Sequence, residues 1–128
     1  MAEYIESKKT IFKYQKKNDA LILNADDFIV RQFAEKARSK VYFFSTKEKP
    51  KGIKLDDFKL FGEHNLSNLF AAIKVARLLK VPLKVIKRAL KSFKGVTNRQ
   101  EFVKEVNGVK YFNDTTATIP EAVITAIS

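Results

Sequence analysis

A strand–helix–strand pattern near the start of the chain limits its fold most strongly. Two short apolar runs, Ala20–Leu23 and Val41–Phe44, have the length and composition of buried strands. Between them, Asp26 or Asp27 can cap a helix that extends to about Arg38. Strands separated by a helix in this way favour a parallel pair, so the pattern predicts an α/β fold. The side chains of this helix expected to face inward are Phe28, Ile29 and Phe33.

Another helix is predicted ahead of this pattern, over Ala2–Gln15. Helical spacing places Tyr4, Ile11 and Phe12 on one face, which we expect to pack inward. Lys8 lies on the same face. A lysine in such a position either extends its amine into water or has been recruited for chemistry, and the spacing alone leaves both readings open.

The stretch Gly62–Asn68 opens the most distinctive helix, which an apolar run extends to about Leu79. Three polar side chains, those of His64, Asn65 and Asn68, lie in or beside its first turn. A single polar side chain is enough to cap a helix. The cluster therefore indicates either an elaborate cap or a bound ligand.

The next helix is predicted from Pro82 to Gly95, because proline favours the start of a helix and glycine its end. Its apolar stripe consists of Leu83, Ile86, Ala89, Leu90 and Phe93, and its basic stripe of Lys84, Lys87, Arg88, Lys91 and Lys94. Phe58–Phe61 can form a further strand, ahead of both helices.

A β-hairpin is predicted towards the end of the chain. Asn107-Gly108 separates two β-rich runs, Glu101–Val106 and Val109–Asn113, and this dipeptide is the strongest short-range hairpin signal. Pro120 can then open a final helix.

The composition says more about possible binding partners than about the fold. The 128 residues carry a formal net charge of +11 and include no cysteine, which excludes disulfides and thiolate zinc sites. The charge favours an anionic partner such as a nucleic acid, a nucleotide or a membrane surface, although a solvated lysine-rich surface explains it equally well. We find no signal peptide and no membrane span, and therefore expect a cytoplasmic location and no membrane partner.

Three polar residues are candidates for binding a nucleotide. The amide of Asn68 can donate and accept at once, as an adenine edge requires. The guanidinium of Arg99, ahead of the hairpin, could reach a phosphate. The carboxylate of Asp114, after the second hairpin strand, could accept sugar hydroxyls. Taken singly, these residues are explained better as a cap, a surface charge and a turn residue.

Taken together, three blocks of sequence resemble the Mur ligase family. They are Gly62–Ala72, Arg99–Phe102 and Asn107–Thr118, and they keep the order and spacing typical of that family. Tyr4–Phe12 and Leu23–Asp27 resemble its preceding helix and strand. The resemblance covers essentially the whole chain and is nearest to the branch that adds D-glutamate.

The resemblance implies a role for individual residues. Lys8 matches a lysine that is carbamylated and then ligates Mg²⁺, chemistry that turns a cation into a carboxylate. Thr118 matches a threonine near the amino-acid substrate. The positions that match ATP-binding residues are His64, Asn65 and Asn68 for adenine, Arg99 for phosphate and Asp114 for ribose.

The implied fold is the second half of a central ATP-binding domain in residues 1–95. The opening hairpin and helix of a Rossmann-like C-terminal domain would follow in residues 96–128. The implied activity is ATP-dependent, ADP-forming addition of D-glutamate to UDP-N-acetylmuramoyl-L-alanine through an acyl phosphate, in peptidoglycan synthesis. Its implied partners are the nucleotide and the UDP-muramoyl substrate, without nucleic acid.

Two features depart from the family. Thr97-Asn98 stands where Pro-His is usual, and Thr115-Thr116 where Ser-Lys is frequent, so the identity of the amino acid is less secure. The sequence also contains no Gly-x-x-x-x-Gly-Lys-[Ser/Thr] phosphate loop. We therefore expect an internal fragment that is inactive by itself and that self-associates through exposed strand edges.

The alternative comes from a different functional class. Two helices followed by a hairpin also describe a winged helix, and the basic stripe fits binding to nucleic acid. Lysines alone read bases poorly, however, and this interpretation leaves His64, Asn68 and Asp114 unexplained. A third reading is a folded scaffold without activity.

Overall fold

The computed structural model describes residues 2–55, 58, 62–118, 120, 123 and 124. Its α-helices are α1 (Ala2–Lys13), α2 (Phe28–Gln32), α3 (Glu63–Leu78) and α4 (Leu83–Ser92), and a 3₁₀ helix spans Phe33–Lys36. Its strands are β1 (Ala20–Asn24), β2 (Lys40–Phe44), β3 (Glu101–Val106) and β4 (Val109–Asn113).

The strands β1 and β2 form the parallel pair that the sequence pattern predicts. Their register runs from Ala20 opposite Lys40 to Asn24 opposite Phe44. Leu21 and Leu23 of β1 are buried and share a cluster with Phe12 and Phe33, while α3 lies against both strands. These helices and short strands confirm the α/β class.

The segment after β1 differs from the single helix expected there. Asp27 does cap α2, since its carboxylate accepts a hydrogen bond of 3.0 Å from the backbone N–H of Val30. The backbone then tightens into the 3₁₀ helix, which changes the side-chain period. Phe33, in the 3₁₀ helix, is buried as predicted, but Phe28 is 74% exposed and Ile29 is exposed as well, so their predicted burial is wrong.

The inward face of α1 also differs from the predicted one. Phe12 is buried and lies 5.5 Å from the ring of Phe33, and Ile5 packs against the same cluster. Tyr4 and Ile11 are 62% and 68% exposed, so the expected inward face is wrong for both. Since α1 meets the cluster along the line from Ile5 to Phe12, the neighbouring side of the helix faces outward.

A second cluster joins α3 to α4. Its buried members are Ile53, Leu69, Phe70, Ile73, Ile86 and Leu90. Ile86 and Leu90, from the apolar stripe predicted for α4, are buried, whereas its other members, Leu83, Ala89 and Phe93, are exposed. The stripe is thus correct in direction, but only two of its five residues are buried.

The strands β3 and β4 form the predicted antiparallel hairpin. Asn107 and Gly108 both have positive φ, 50° and 79°, as a two-residue type I′ turn requires. The strand predicted at Phe58–Phe61 and the helix predicted from Pro120 lie largely outside the described residues. In the part of the chain that is described, no helix is both long and apolar enough to cross a membrane.

Candidate functional site

An open cavity of about 480 Å³ lies between α3, α4 and the segment that leads into β3. Its walls are mostly apolar and include Leu69, Ile73, Ile86, Leu90, Phe93 and Val96. Its polar side chains are Asn65, Asn68 and Arg99. The cavity therefore brings together residues that lie more than thirty positions apart in the sequence and that the sequence analysis singled out.

The start of α3 directs its two asparagines to this cavity. Gly62 occupies the N-cap position with a φ of 93°, a conformation that favours glycine, and its carbonyl accepts the backbone N–H of Asn65 at 3.1 Å. Because the N-cap residue has no side chain, an elaborate side-chain cap does not form there. Asn65 and Asn68 are three residues apart and line the cavity from one face of the helix.

A tight turn holds Arg99 at the opposite side of the cavity. The backbone N–H of Arg99 donates to the carbonyl of Val96 at 3.1 Å. The residues on either side, Asn98 and Gln100, have φ values of 63° and 46°, in the left-handed region. Non-glycine residues adopt this backbone conformation infrequently, and here two of them, one on each side of the arginine, shape the turn that carries it.

Gln100 connects the three parts of the site. Its side-chain carbonyl accepts a hydrogen bond of 3.3 Å from the amide of Asn65, and its backbone N–H donates to Oδ1 of Asp114 at 3.2 Å. The helix, the turn and the end of β4 are therefore linked through one residue. Sequence reasoning missed Gln100, although it directly follows Arg99 in one of the three blocks.

Asn98 fixes the same turn from the other side. Its side-chain carbonyl accepts from the amide of Asn113 at 2.9 Å, and its backbone N–H donates to the Glu101 carboxylate at 2.8 Å. Its backbone carbonyl accepts from both the N–H and the hydroxyl of Thr116, at 3.2 and 3.0 Å. Asn98 and Thr116 both lie in the dipeptides that depart from the family, and here they contact each other.

Comparison with known proteins relates this chain to one family of ligases. Residues 1–59 match the family model described as the Mur ligase middle domain. The chain is 40% identical, over 99% of its length, to the UDP-N-acetylmuramoylalanine–D-glutamate ligase of Clostridioides difficile. Two proteins of the same name are each 37% identical to the chain: that of Symbiobacterium thermophilum over 100% of the chain and that of Clostridium tetani over 99%.

The chain belongs to the Mur ligase family. It spans about a third of the length of these relatives, 32%, 33% and 31% respectively. This Mur ligase chain therefore corresponds to one part of each of these longer enzymes.

Four other predicted residues of this Mur ligase chain lie outside the cavity lining. Asp114 is partly buried, and its Oδ1 accepts the backbone N–H of Gln100. His64 is partly buried, and its Nδ1 atom is buried without a hydrogen-bond partner. Thr118 is exposed. Lys8 is exposed, with its ammonium 5.1 Å from the ring centre of Tyr4. Their roles in substrate, nucleotide and metal binding stay predictions.

The residues described do not assemble a metal site by themselves. Among them, no group of three or more histidine, cysteine, aspartate or glutamate side chains could hold a metal ion. Lys8 could contribute one ligand after carbamylation, and its ammonium lies beside the Tyr4 ring in this structure.

Proposed function

We propose that this chain is the adenine-binding portion of an ATP-dependent, ADP-forming ligase that adds D-glutamate to UDP-N-acetylmuramoyl-L-alanine. The observation that carries the proposal is the cavity shared by Asn65, Asn68 and Arg99, in a chain whose relatives bear the name of that ligase. Residues 1–95 would then belong to the central domain and residues 96–128 to the C-terminal domain of a cytoplasmic enzyme.

The cavity suits a purine at its apolar end. Leu69, Ile73 and Phe93 offer walls against which a flat ring can pack. Asn68 is exposed at the edge of this apolar space, so that its amide can face the donor and acceptor pair of adenine. Asn65 is held by Gln100 and would supply a second, fixed amide.

The other two residues suit the ribose and the phosphates. Arg99 carries a planar, permanently charged group that can bind a phosphate through two parallel hydrogen bonds. Asp114 is oriented by the backbone N–H of Gln100, which binds Oδ1, so that Oδ2 could accept a ribose hydroxyl. Arg99 lies in the turn and Asp114 is hydrogen-bonded to the next residue, Gln100. The positions of the two groups are therefore coupled, which favours one conformation of the nucleotide.

ATP would transfer its terminal phosphoryl group to the L-alanine carboxylate, giving an acyl phosphate and ADP. The amine of D-glutamate would then attack the acyl carbon, forming the amide bond and releasing phosphate. The residues described here would contribute nucleotide binding and orientation to this reaction. Thr118 would lie near the amino acid.

Lys8 would contribute to Mg²⁺ binding once carbamylated. In the longer ligase we expect Lys8→Ala to abolish turnover, whereas Lys17→Ala, an exposed lysine beyond the end of α1, should retain it. Partial rescue of Lys8→Ala by added small carboxylates would support the carbamate role, because a free carboxylate could replace the missing ligand. Equal loss in both variants would contradict it.

The central test is titration of the chain with ADP by calorimetry. We expect saturable binding that Asn68→Ala and Arg99→Ala each weaken about tenfold, since each removes one or more ligand hydrogen bonds. Ser67→Ala, the neighbouring residue outside the cavity lining, should bind like the parent chain. Equal affinity of all variants would contradict the proposed site.

A parallel titration with duplex DNA tests the winged-helix alternative. The exposed cations Lys84, Lys87 and Arg88 on α4 are the specific observation that favours it. Binding that falls steeply with salt, together with no response to ADP, would support DNA binding in place of the ligase reading.

A further inference from the structure

A second cavity, of about 620 Å³, shares no lining residue with the first one. It lies between the C-terminal half of α1 and the chain that leaves the 3₁₀ helix. Four cationic side chains line it: Lys9, Lys13, Lys36 and Arg38. The other lining residues with polar groups, among those described, are Thr10, Tyr14 and Glu6.

The positive charge around this cavity exceeds the negative charge. Glu6, the one carboxylate among the described lining residues, forms an ion pair with Lys9 and is therefore already engaged by one of the four cations. Lys36 adds a second cation to the lining. Lys13 and Arg38 add two further positive charges to the same concave surface, and Lys13 lies 5.5 Å from the ring centre of Tyr14.

Helix polarity explains only part of this arrangement. Lys13 ends α1 and Lys36 ends the 3₁₀ helix, and a cation at a helix C-terminus is stabilised by the partial negative charge there. Lys9 lies a full turn before the end of α1, and Arg38 follows the 3₁₀ helix, so that effect does not account for them. Like charges around one cavity repel each other, and a bound anion would relieve this repulsion.

We propose that this cavity binds a small, multivalent phosphate anion. Arg38 can hold a phosphate through two hydrogen bonds, Lys13 and Lys36 can neutralise its charge, and the Thr10 hydroxyl can donate to an oxygen. The proposal does not depend on nucleotide binding, because Arg99 and its neighbours line the other cavity.

The test is calorimetric titration of the chain with inorganic pyrophosphate at constant ionic strength. We expect saturable binding that the double variant Lys13→Gln/Arg38→Gln weakens about tenfold, since two charged donors are lost. The control Lys87→Gln/Arg88→Gln removes the same charge from α4 and should change the affinity less than about twofold. Equal weakening in both double variants would show a general effect of net charge and overturn the proposal.

Two further variants test where the anion binds and which groups hold it. In the Arg99→Gln background, Lys13→Gln/Arg38→Gln should still weaken pyrophosphate binding about tenfold. Complete loss of binding in Arg99→Gln alone would place the anion in the first cavity and overturn the proposal. Thr10→Val keeps the size and charge of residue 10 and removes only its hydroxyl, so it tests the site even if the double variant folds poorly. We expect it to weaken binding about threefold, and an unchanged affinity would contradict the proposed role of Thr10.

The class of anion is decided by comparing pyrophosphate with a short DNA duplex. Displacement of bound pyrophosphate from the parent chain only by high concentrations of duplex would support the small-anion site. If duplex DNA binds saturably and pyrophosphate does not, the cavity is part of a nucleic-acid surface and the proposal is wrong.

Discussion

The side-chain amide of Asn65 donates a hydrogen bond of 3.3 Å to the side-chain carbonyl of Gln100, which lies 35 residues further along the chain. This bond joins the first turn of α3 to the turn that carries Arg99. Since the backbone N–H of Gln100 also donates to Asp114, Gln100 links the start of α3, the turn of Arg99 and the end of β4, and each of these parts carries a residue of the proposed nucleotide site.

The bond between Asn65 and Gln100 can be measured by a double-mutant cycle. We expect the alanine variants at the two positions to be coupled by about 0.5–1.5 kcal/mol in the free energy of unfolding, the usual value of such a hydrogen bond. Urea denaturation of the parent, single and double variants gives this number. The control pair, Asn65→Ala with Lys87→Ala, should be additive, and a coupling near zero between Asn65 and Gln100 would contradict the link.

Substitutions of Asn98 test whether its left-handed backbone is essential. Asn98 has a φ of 63°, which glycine adopts freely and alanine does not. Both variants lose the bond to Asn113, but we expect Asn98→Ala to be less stable than Asn98→Gly by about 1 kcal/mol. Thr97 is the matched control because its φ is not positive, so there the alanine variant should be the more stable one.

We expect the loop at Ser45 and Thr46 to be sensitive to acid, because the Asp26 carboxylate holds it. This carboxylate accepts hydrogen bonds from the Ser45 hydroxyl at 2.7 Å and from the backbone N–H and hydroxyl of Thr46 at 2.7 and 2.9 Å. These bonds, that of Ser45 first, lower the pKa of Asp26. Because the folded-state pKa lies below the unfolded one, this stabilisation is present above the unfolded pKa, about 3.9, and is lost as the pH falls through the folded value.

Thermal unfolding followed by circular dichroism between neutral and strongly acidic pH tests this loop. Asp26→Asn should unfold at a lower temperature than the parent at neutral pH, and the difference should disappear in acid. Asp27→Asn is the control, because asparagine caps a helix as well as aspartate does. A difference that stays constant with pH would contradict the role of the Asp26 charge.

The hairpin β3–β4 predicts self-association. Its apolar side chains are exposed, among them Phe102, Val103, Val109 and Phe112, and an uncovered hairpin offers strand edges for pairing. We expect sedimentation velocity to show a dimer that strengthens with salt, because salt screens the net charge of +11. Val103→Lys/Val109→Lys should weaken it and Val75→Lys on α3 should not, whereas a monomer at high salt would contradict the prediction.

Local sequence determined the secondary structure and part of the site. Apolar runs specified the parallel strands β1 and β2, and Asn107-Gly108 specified the hairpin turn, because these choices depend on neighbouring residues. The polar residues that line the cavity, Asn65, Asn68 and Arg99, were also predictable from their own blocks of sequence.

Tertiary structure alone decided which faces are covered and how the site is held. Tyr4 and Phe28 have apolar side chains in helical patterns and yet are exposed, because the neighbours of α1 and α2 contact only one side of each short helix. The sequence pattern did not reveal that Gln100 and Asn98 hold the site together. The side-chain partner of Gln100 lies far away along the chain, and both residues have a left-handed backbone conformation. Helical periodicity shows which residues share a face, but only packing against distant elements determines which face is buried.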